Sequence, residues 1–204
     1  MKLTAKFIHL LTPQTGSSSN GKWIKQDFVV ETKDTYPKKV VISSWNNQFD
    51  LTKLNNESYF DFKISLDSKV YNGNYYSSAS LIEQPKPTTS LALMIDKSST
   101  INCDAKIKTI LPETHGTGWT KQELIFEPFE HITKTLSGVI LNKKVDLSNF
   151  SEGDNVKISF FIESKEYNQK WYTNFKIWKI ETIQNIQSNQ SENYDLSDPD
   201  SWPF

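Results

Sequence analysis

The chain has 204 residues, with 23 lysines and no arginine set against 24 carboxylates, for a net charge of −1. Hydrophobic residues make up 36% and aromatics 13%, enough for a packed core, so the chain as a whole is neither a basic arm nor an acidic disordered polymer. Without a guanidinium fork, arginine-finger chemistry is excluded and base-specific reading of the major groove is disfavoured. No stretch approaches the ~20 apolar residues of a membrane span, and Met1 to Leu11 alternates apolar with Lys, Thr and His rather than forming a signal peptide. A single cysteine, Cys103, allows no internal disulfide. The expectation is a cytoplasmic protein (host cytoplasm if viral) in a reducing compartment.

In chain order the segments read as strands. A polar Gly/Ser loop leads to Trp23-Ile24-Lys25-Gln26-Asp27 and the β-rich run Phe28-Val29-Val30, followed by Lys39-Val40-Val41-Ile42. A short turn is expected at 50–55, and then Phe60, Phe62, Ile64 and Leu66 alternate with polar residues, one buried face against one wet face. Asn72-Gly73 is a type I′ hairpin signal, since both residues tolerate positive φ. The Pro/Thr-rich stretch from Pro85 to Ser90 reads as a linker. The pattern then begins again. Trp119-Thr120-Lys121-Gln122-Glu123 repeats the earlier word at an offset of 96, as do Ser164-Lys165, Tyr167-Asn168 and Tyr172. Val156, Ile158, Phe160 and Ile162 form the second alternating strand, a second short turn is expected at 146–150, and Asn168-Gln169 is a poorer hairpin turn. We read a tandem duplication: repeat one at 1–84, a linker at 85–100, repeat two at 101–183 and a tail at 184–204.

Five strands per repeat, a long first loop, a short element between the third and fourth strands and a fourth–fifth hairpin describe an OB-fold. An SH3-like barrel or a small sandwich has a similar strand count, but the position of the inter-strand element favours OB. The expected fold is therefore all-β, two tandem five-stranded OB-fold barrels followed by a disordered acidic tail. Tyr36-Pro37-Lys38-Lys39-Val40-Val41-Ile42, Phe150-Ser151-Glu152-Gly153-Asp154-Asn155-Val156 and the hairpin Glu163-Ser164-Lys165-Glu166-Tyr167 resemble, in order, the bacterial single-stranded DNA-binding (SSB) family. The Trp-x-Lys-Gln and Tyr-Asn words resemble an uncharacterised bacterial OB family more closely.

The charge is unevenly placed. No basic residue follows Lys179, so Glu181, Glu192, Asp195, Asp198 and Asp200 give the end of the chain −5, while residues 1–180 carry +4. The chain closes Asp198-Pro199-Asp200-Ser201-Trp202-Pro203-Phe204. This resembles the acidic Pro-Phe tail through which SSB proteins dock on replication and repair partners, with Trp202 replacing the usual aliphatic residue. A terminal ring and carboxylate suit an apolar pocket rimmed by cations. Asp198, Asp200, Trp202, Pro203 and Phe204 are the expected partner-binding residues.

Sequence-tolerant binding of a single strand needs lysines for phosphates and rings for stacking. Trp23 and Lys25 share one face by period-two alternation, as do Trp119 and Lys121; a tryptophan that merely caps a barrel is the alternative for each. The third strand adds Lys38, Lys39 and Trp45, which repeat two replaces with Lys134, Thr135 and Leu141. The hairpins add Lys69, Tyr71 and Tyr75, and Lys165, Tyr167, Lys170 and Trp171. The SSB resemblance places the stacking ring at Tyr71 and Tyr167, which should face outward, whereas one of Tyr75/Tyr76 and one of Trp171/Tyr172 should enter the core. Repeat one is thus richer in its second and third strands, and repeat two in its hairpin.

Catalysis is not expected. His9, His115 and His131 lack metal spacing, Cys103 has no nearby histidine, and no carboxylate pair stands out. No cofactor or metal is anticipated. The leading expectation is a single-stranded DNA-binding protein, a homodimer if four OB domains assemble, serving replication or repair, with RNA as an open alternative ligand. A non-enzymatic assembly or adaptor protein using its barrels for protein contacts is the rival.

Overall fold

The computed structural model describes residues 1–88, 99–131 and 134–183. The expected acidic tail and most of the expected linker lie outside these residues.

Repeat one comprises β1 (Lys2–Leu10), β2 (Gln14–Ser18), β3 (Gly21–Thr32), β4 (Lys39–Trp45), β5 (Tyr59–Tyr71) and β6 (Asn74–Leu81). A two-residue strand β7 (Lys86–Pro87) lies against β5. Repeat two comprises β8 (Ile101–Ile110), β9 (Thr114–Gly116), β10 (Trp119–Pro128), β11 (Leu136–Leu141), β12 (Asn155–Tyr167) and β13 (Lys170–Thr182). Each repeat closes on itself. β1 pairs with β5 through its first half and with β3 through its second, bending at a bulge between Phe7 and His9. β3 pairs with β4, β5 with β6, and β4 meets β6 in parallel, completing the five-stranded OB barrel. The second barrel closes the same way through β8, β10, β11, β13 and β12.

Alternation dictates the cores. Phe60, Phe62, Ile64 and Leu66 of β5 are buried inside barrel one, and Val156, Ile158, Phe160 and Ile162 of β12 inside barrel two. The element expected between the third and fourth strands is a 3₁₀ turn, Leu51–Lys53, capped by Asp50, whose side chain accepts from the Thr52 amide at 3.0 Å. Both hairpin turns take the left-handed conformation. Asn72 and Gly73 have φ of 49° and 76°, and Asn168 and Gln169 have 49° and 60°. Gln169 thus adopts a conformation its side chain disfavours, held by the twelve paired positions of the β12–β13 ladder.

The closing seam of each barrel is thin. β4 and β6 share one paired position, Ser43 with Ser80, and β11 and β13 share two. The other repeat covers it. The Val41 amide on β4 donates to Ser164 Oγ of β12 at 2.9 Å, and the Ser137 amide on β11 donates to Ser68 Oγ of β5 at 3.0 Å. Val41/Ser137 and Ser68/Ser164 are equivalent positions at the offset of 96, so the junction is reciprocal, as in an isologous dimer. Ser68 hydrogen-bonds Ser77, and Ser164 hydrogen-bonds Thr173, each at 2.8 Å. Thr173 of β13 in turn pairs with Ser77 of β6, joining the barrels into one sheet path.

Replacing Ser164 with alanine strands the buried Val41 amide without an acceptor. The expected cost is about 1–3 kcal/mol, a fall in melting temperature of roughly 2–4 °C per kcal/mol at this size. Ser68→Ala should cost a similar amount by the same thermal melt, because its partner is equivalent.

Candidate nucleic-acid interface

Each barrel presents a tryptophan laid over a glycine. In the β2–β3 hairpin Gly16 stands opposite Trp23, and a Cβ on Gly16 would come within 2.4 Å of the indole. In the β9–β10 hairpin Gly116 stands opposite Trp119, and the same construction gives 2.2 Å. Only a residue without a side chain lets the ring lie this close to the partner strand. Trp119 is 47% exposed, so the ring it rests on glycine also meets solvent. Trp23 is half-buried, with its ring edge-on to Trp45 at 5.8 Å between centroids.

The expected lysines divide into tied and untied groups. Lys25 pairs with Asp27 at 2.7 Å and lies 5.9 Å from the centre of the Trp45 ring. Ser43 Oγ donates to the other oxygen of Asp27 at 2.6 Å. Lys121 pairs with Glu123 in the same way. The Lys-x-Asp and Lys-x-Glu spacing that places both groups on one strand face was present in the sequence. Lys165 lies 4.0 Å from Glu163. Lys38 is drawn into the junction. It pairs with Asp34 at 3.2 Å and sits 4.4 Å above the ring of Phe161, from the other repeat. Burial would push the Asp34 carboxyl up, but hydrogen bonds from Ser99 and Thr32, with Lys38 beside it, hold it below the usual carboxylate range. Lys39, Lys69 and Lys170 are exposed and make no ion pair with a described residue.

Among the hairpin rings, Tyr71 and Tyr167 are each 68% exposed, as expected for outward rings. The expectation that one ring of each adjacent pair enters the core does not hold. Tyr75 and Trp171 are half-buried, while Tyr76 and Tyr172 are exposed. Val70 and Glu166, which stand opposite Tyr75 and Trp171 in the ladders, are themselves exposed, so the cores end before these ring pairs.

Tyr75 and Trp171 instead line one groove of about 730 Å³ to which both barrels contribute. Barrel one contributes Leu11, Gln14, Lys25, Asp27, Val41, Ser43 and Tyr75–Ala79. Barrel two contributes Glu166 and the run from Gln169 to Asn174, including Lys170, Trp171 and Tyr172. The groove therefore gathers Lys25, Tyr75, Lys170 and Trp171 from the expected set, with Trp45 and Trp23 continuing beyond Lys25. It leaves Lys38 at the junction, with Lys39, Lys69, Tyr71, Trp119, Lys121, Lys165 and Tyr167 elsewhere on the surface. The sequence reading missed Tyr36, 83% exposed, and Trp178, 45% exposed. Trp178 is the extra residue where Ser159 pairs with Lys179 and Phe160 with Ile177, a bulge that no periodicity announces.

Among the described residues no three His, Cys, Asp or Glu side chains gather to hold a metal. Burial, with Glu130 and Asp104 nearby, pushes the Cys103 thiol up to about 12. Cys103 is accordingly expected to resist iodoacetamide at pH 8 in the folded protein and to react fully in denaturant, as read by mass spectrometry. Gly16→Ala should tip Trp23 off its support. The expected result is a shifted tryptophan emission maximum and stronger acrylamide quenching, with the far-ultraviolet circular dichroism unchanged.

Among the solved structures that match, two have TM-scores of 0.50 or more. One is wild-type single-stranded DNA binding protein from Thermus aquaticus, with a TM-score of 0.56 and 10% identity over 89% of this chain and 91% of that one. The other is a deletion mutant of the Thermus aquaticus protein, with a TM-score of 0.50 and 11% identity over 89% and 92%. At such identity the likeness is one of fold. The comparison with curated proteins finds no match. A family model does match, once in each barrel, over residues 2–82 and 102–181, and the chain belongs to that family, Domain of unknown function (DUF3127).

Proposed function

We propose that this chain binds single-stranded DNA without catalysis, stacking bases on its exposed rings and drawing the phosphates with lysine. The carrying observation is the flat tryptophan on glycine, Trp23 on Gly16 and Trp119 on Gly116, each two residues from a lysine on the same strand. A ring supported on one side offers its other side to a base, and base–aromatic stacking tolerates any sequence. The architecture shared with a protein named for single-stranded DNA binding supports the same reading. Because Lys25 and Lys121 are each tied to a carboxylate, few counterions should be released on binding, so affinity should rest more on stacking than on charge.

The acidic segment ending in Trp202-Pro203-Phe204 we assign to capture of replication or repair proteins. The proposed assembly is a homodimer that gathers four barrels. The tied lysines also favour a second reading, an adaptor whose barrels contact protein, since paired cations attract phosphate weakly.

Titrating intrinsic tryptophan fluorescence with oligo-dT, oligo-rU and duplex DNA decides between them. Quenching by the single strand at low salt, at least tenfold tighter than by duplex, is expected. Trp45→Ala should weaken it by about 5- to 150-fold, the value of one stacked ring. Absence of quenching, or equal affinity for duplex, favours the adaptor. Tighter quenching by oligo-rU assigns the ligand as RNA.

A further inference from the structure

The two repeats have diverged in opposite senses, and the fold brings the richer halves together. On its outer face barrel one has Trp45 beside Lys25, where barrel two has Leu141 beside Lys121. In the hairpin the positions reverse: barrel two has Lys170 and Trp171, where barrel one has Asn74 and Tyr75. The reciprocal junction sets each hairpin against the other barrel's face, since Ser164 of β12 meets Val41 of β4 and Ser68 of β5 meets Ser137 of β11. The face with the extra tryptophan therefore shares its groove with the hairpin that carries the extra lysine and tryptophan. Leu141 and Asn74 are not among the residues that line it.

We infer that the tandem holds one primary segment of single-stranded DNA, in the groove between the face of barrel one and the hairpin of barrel two, rather than an equal segment on each barrel. This rests on the reading of the chain as a single-strand binder. Three features of the groove support it. Lys170 is a cation without an ion pair among the described residues, and shares the groove with a Lys25 whose charge Asp27 offsets. Trp171 is half-buried on the wall, and Tyr76 and Tyr172 stand exposed at the rim. At about 730 Å³ the space falls within the ~300–1,000 Å³ of ligand clefts. A strand entering it leaves past Lys25 onto Trp45 and Trp23, which already lie in contact. The duplication then serves to build one asymmetric site whose two walls could each diverge separately.

The test is a stoichiometric titration of the full chain with a short oligo-dT, followed by matched substitutions. One tight oligonucleotide per chain is expected. Trp171→Ala and Trp45→Ala should each weaken it about tenfold or more, within the range for one stacked ring. Lys170→Gln, at an exposed position with no ion partner among the described residues, should weaken it and flatten the salt dependence by nearly one ion. Lys157→Gln, at an exposed position of β12 outside the lining of the groove, should change it less than threefold. Thermal melts separate lost binding from lost folding, and Lys170→Gln stays informative if either tryptophan variant fails to fold. Two equally tight oligonucleotides per chain, or equal losses from Lys157→Gln and Lys170→Gln, overturn the single shared groove while leaving single-strand binding intact. Failure of the unaltered protein to bind any single strand overturns both.

Discussion

The molecule depends on two buried backbone amides that their own barrels do not satisfy. An OB barrel is closed by a short parallel contact between its third and fifth strands, and here that contact reaches only one or two paired positions. The Val41 and Ser137 amides flank that gap. A buried amide without an acceptor costs about as much as a lost hydrogen bond, so each repeat needs a hydroxyl from the other at that point. Ser164 and Ser68 supply it, themselves steadied by Thr173 and Ser77. The two barrels are thus mutual parts of one sheet path, not beads on a string.

From that junction follows the composition of the groove. Because the contact is reciprocal, the β12–β13 hairpin stands beside the β3–β4 face of barrel one, and Trp171 comes to share a cleft with Lys25, 146 positions away in the sequence. The junction also draws in groups. Lys38 leaves the surface to sit over Phe161, anchored by an Asp34 that also accepts from Ser99 at the entry to repeat two. The equivalent lysine of repeat two, Lys134, donates to Ser65 across the same boundary. A lysine that reads as a phosphate contact in one dimension is an interface residue in three.

The glycines opposite Trp23 and Trp119 give the rings their orientation. Cross-strand neighbours in a hairpin stand about 4.5–5.5 Å apart, too close for an indole to lie flat over any side chain. Glycine removes that obstacle and leaves the ring supported from beneath. Both Gly16 and Gly116 occur where the register puts them under the indole, although the loops between them and their tryptophans differ in length. The surviving feature is the support rather than the loop, which is what a surface that must present a flat ring would retain.

Much of this was readable from the residues alone. The alternation of Phe60, Phe62, Ile64 and Leu66, and its echo from Val156 to Ile162, determined which faces are buried, because a strand offers only two sides. The offset of 96 determined that there are two barrels, and Asn72-Gly73 determined a hairpin. The outward rings Tyr71 and Tyr167 came instead from the resemblance of the hairpin to the SSB family. What sequence could not decide was anything resting on contact between repeats. The tethering of Lys38 and the groove pairing of Tyr75 with Trp171 depend on where one barrel sits against the other, and the bulge at Trp178 on the β12–β13 register. Period-two patterning is local to a strand, whereas the junction is set by a few hydroxyls and amides whose meeting only the folded chain can arrange.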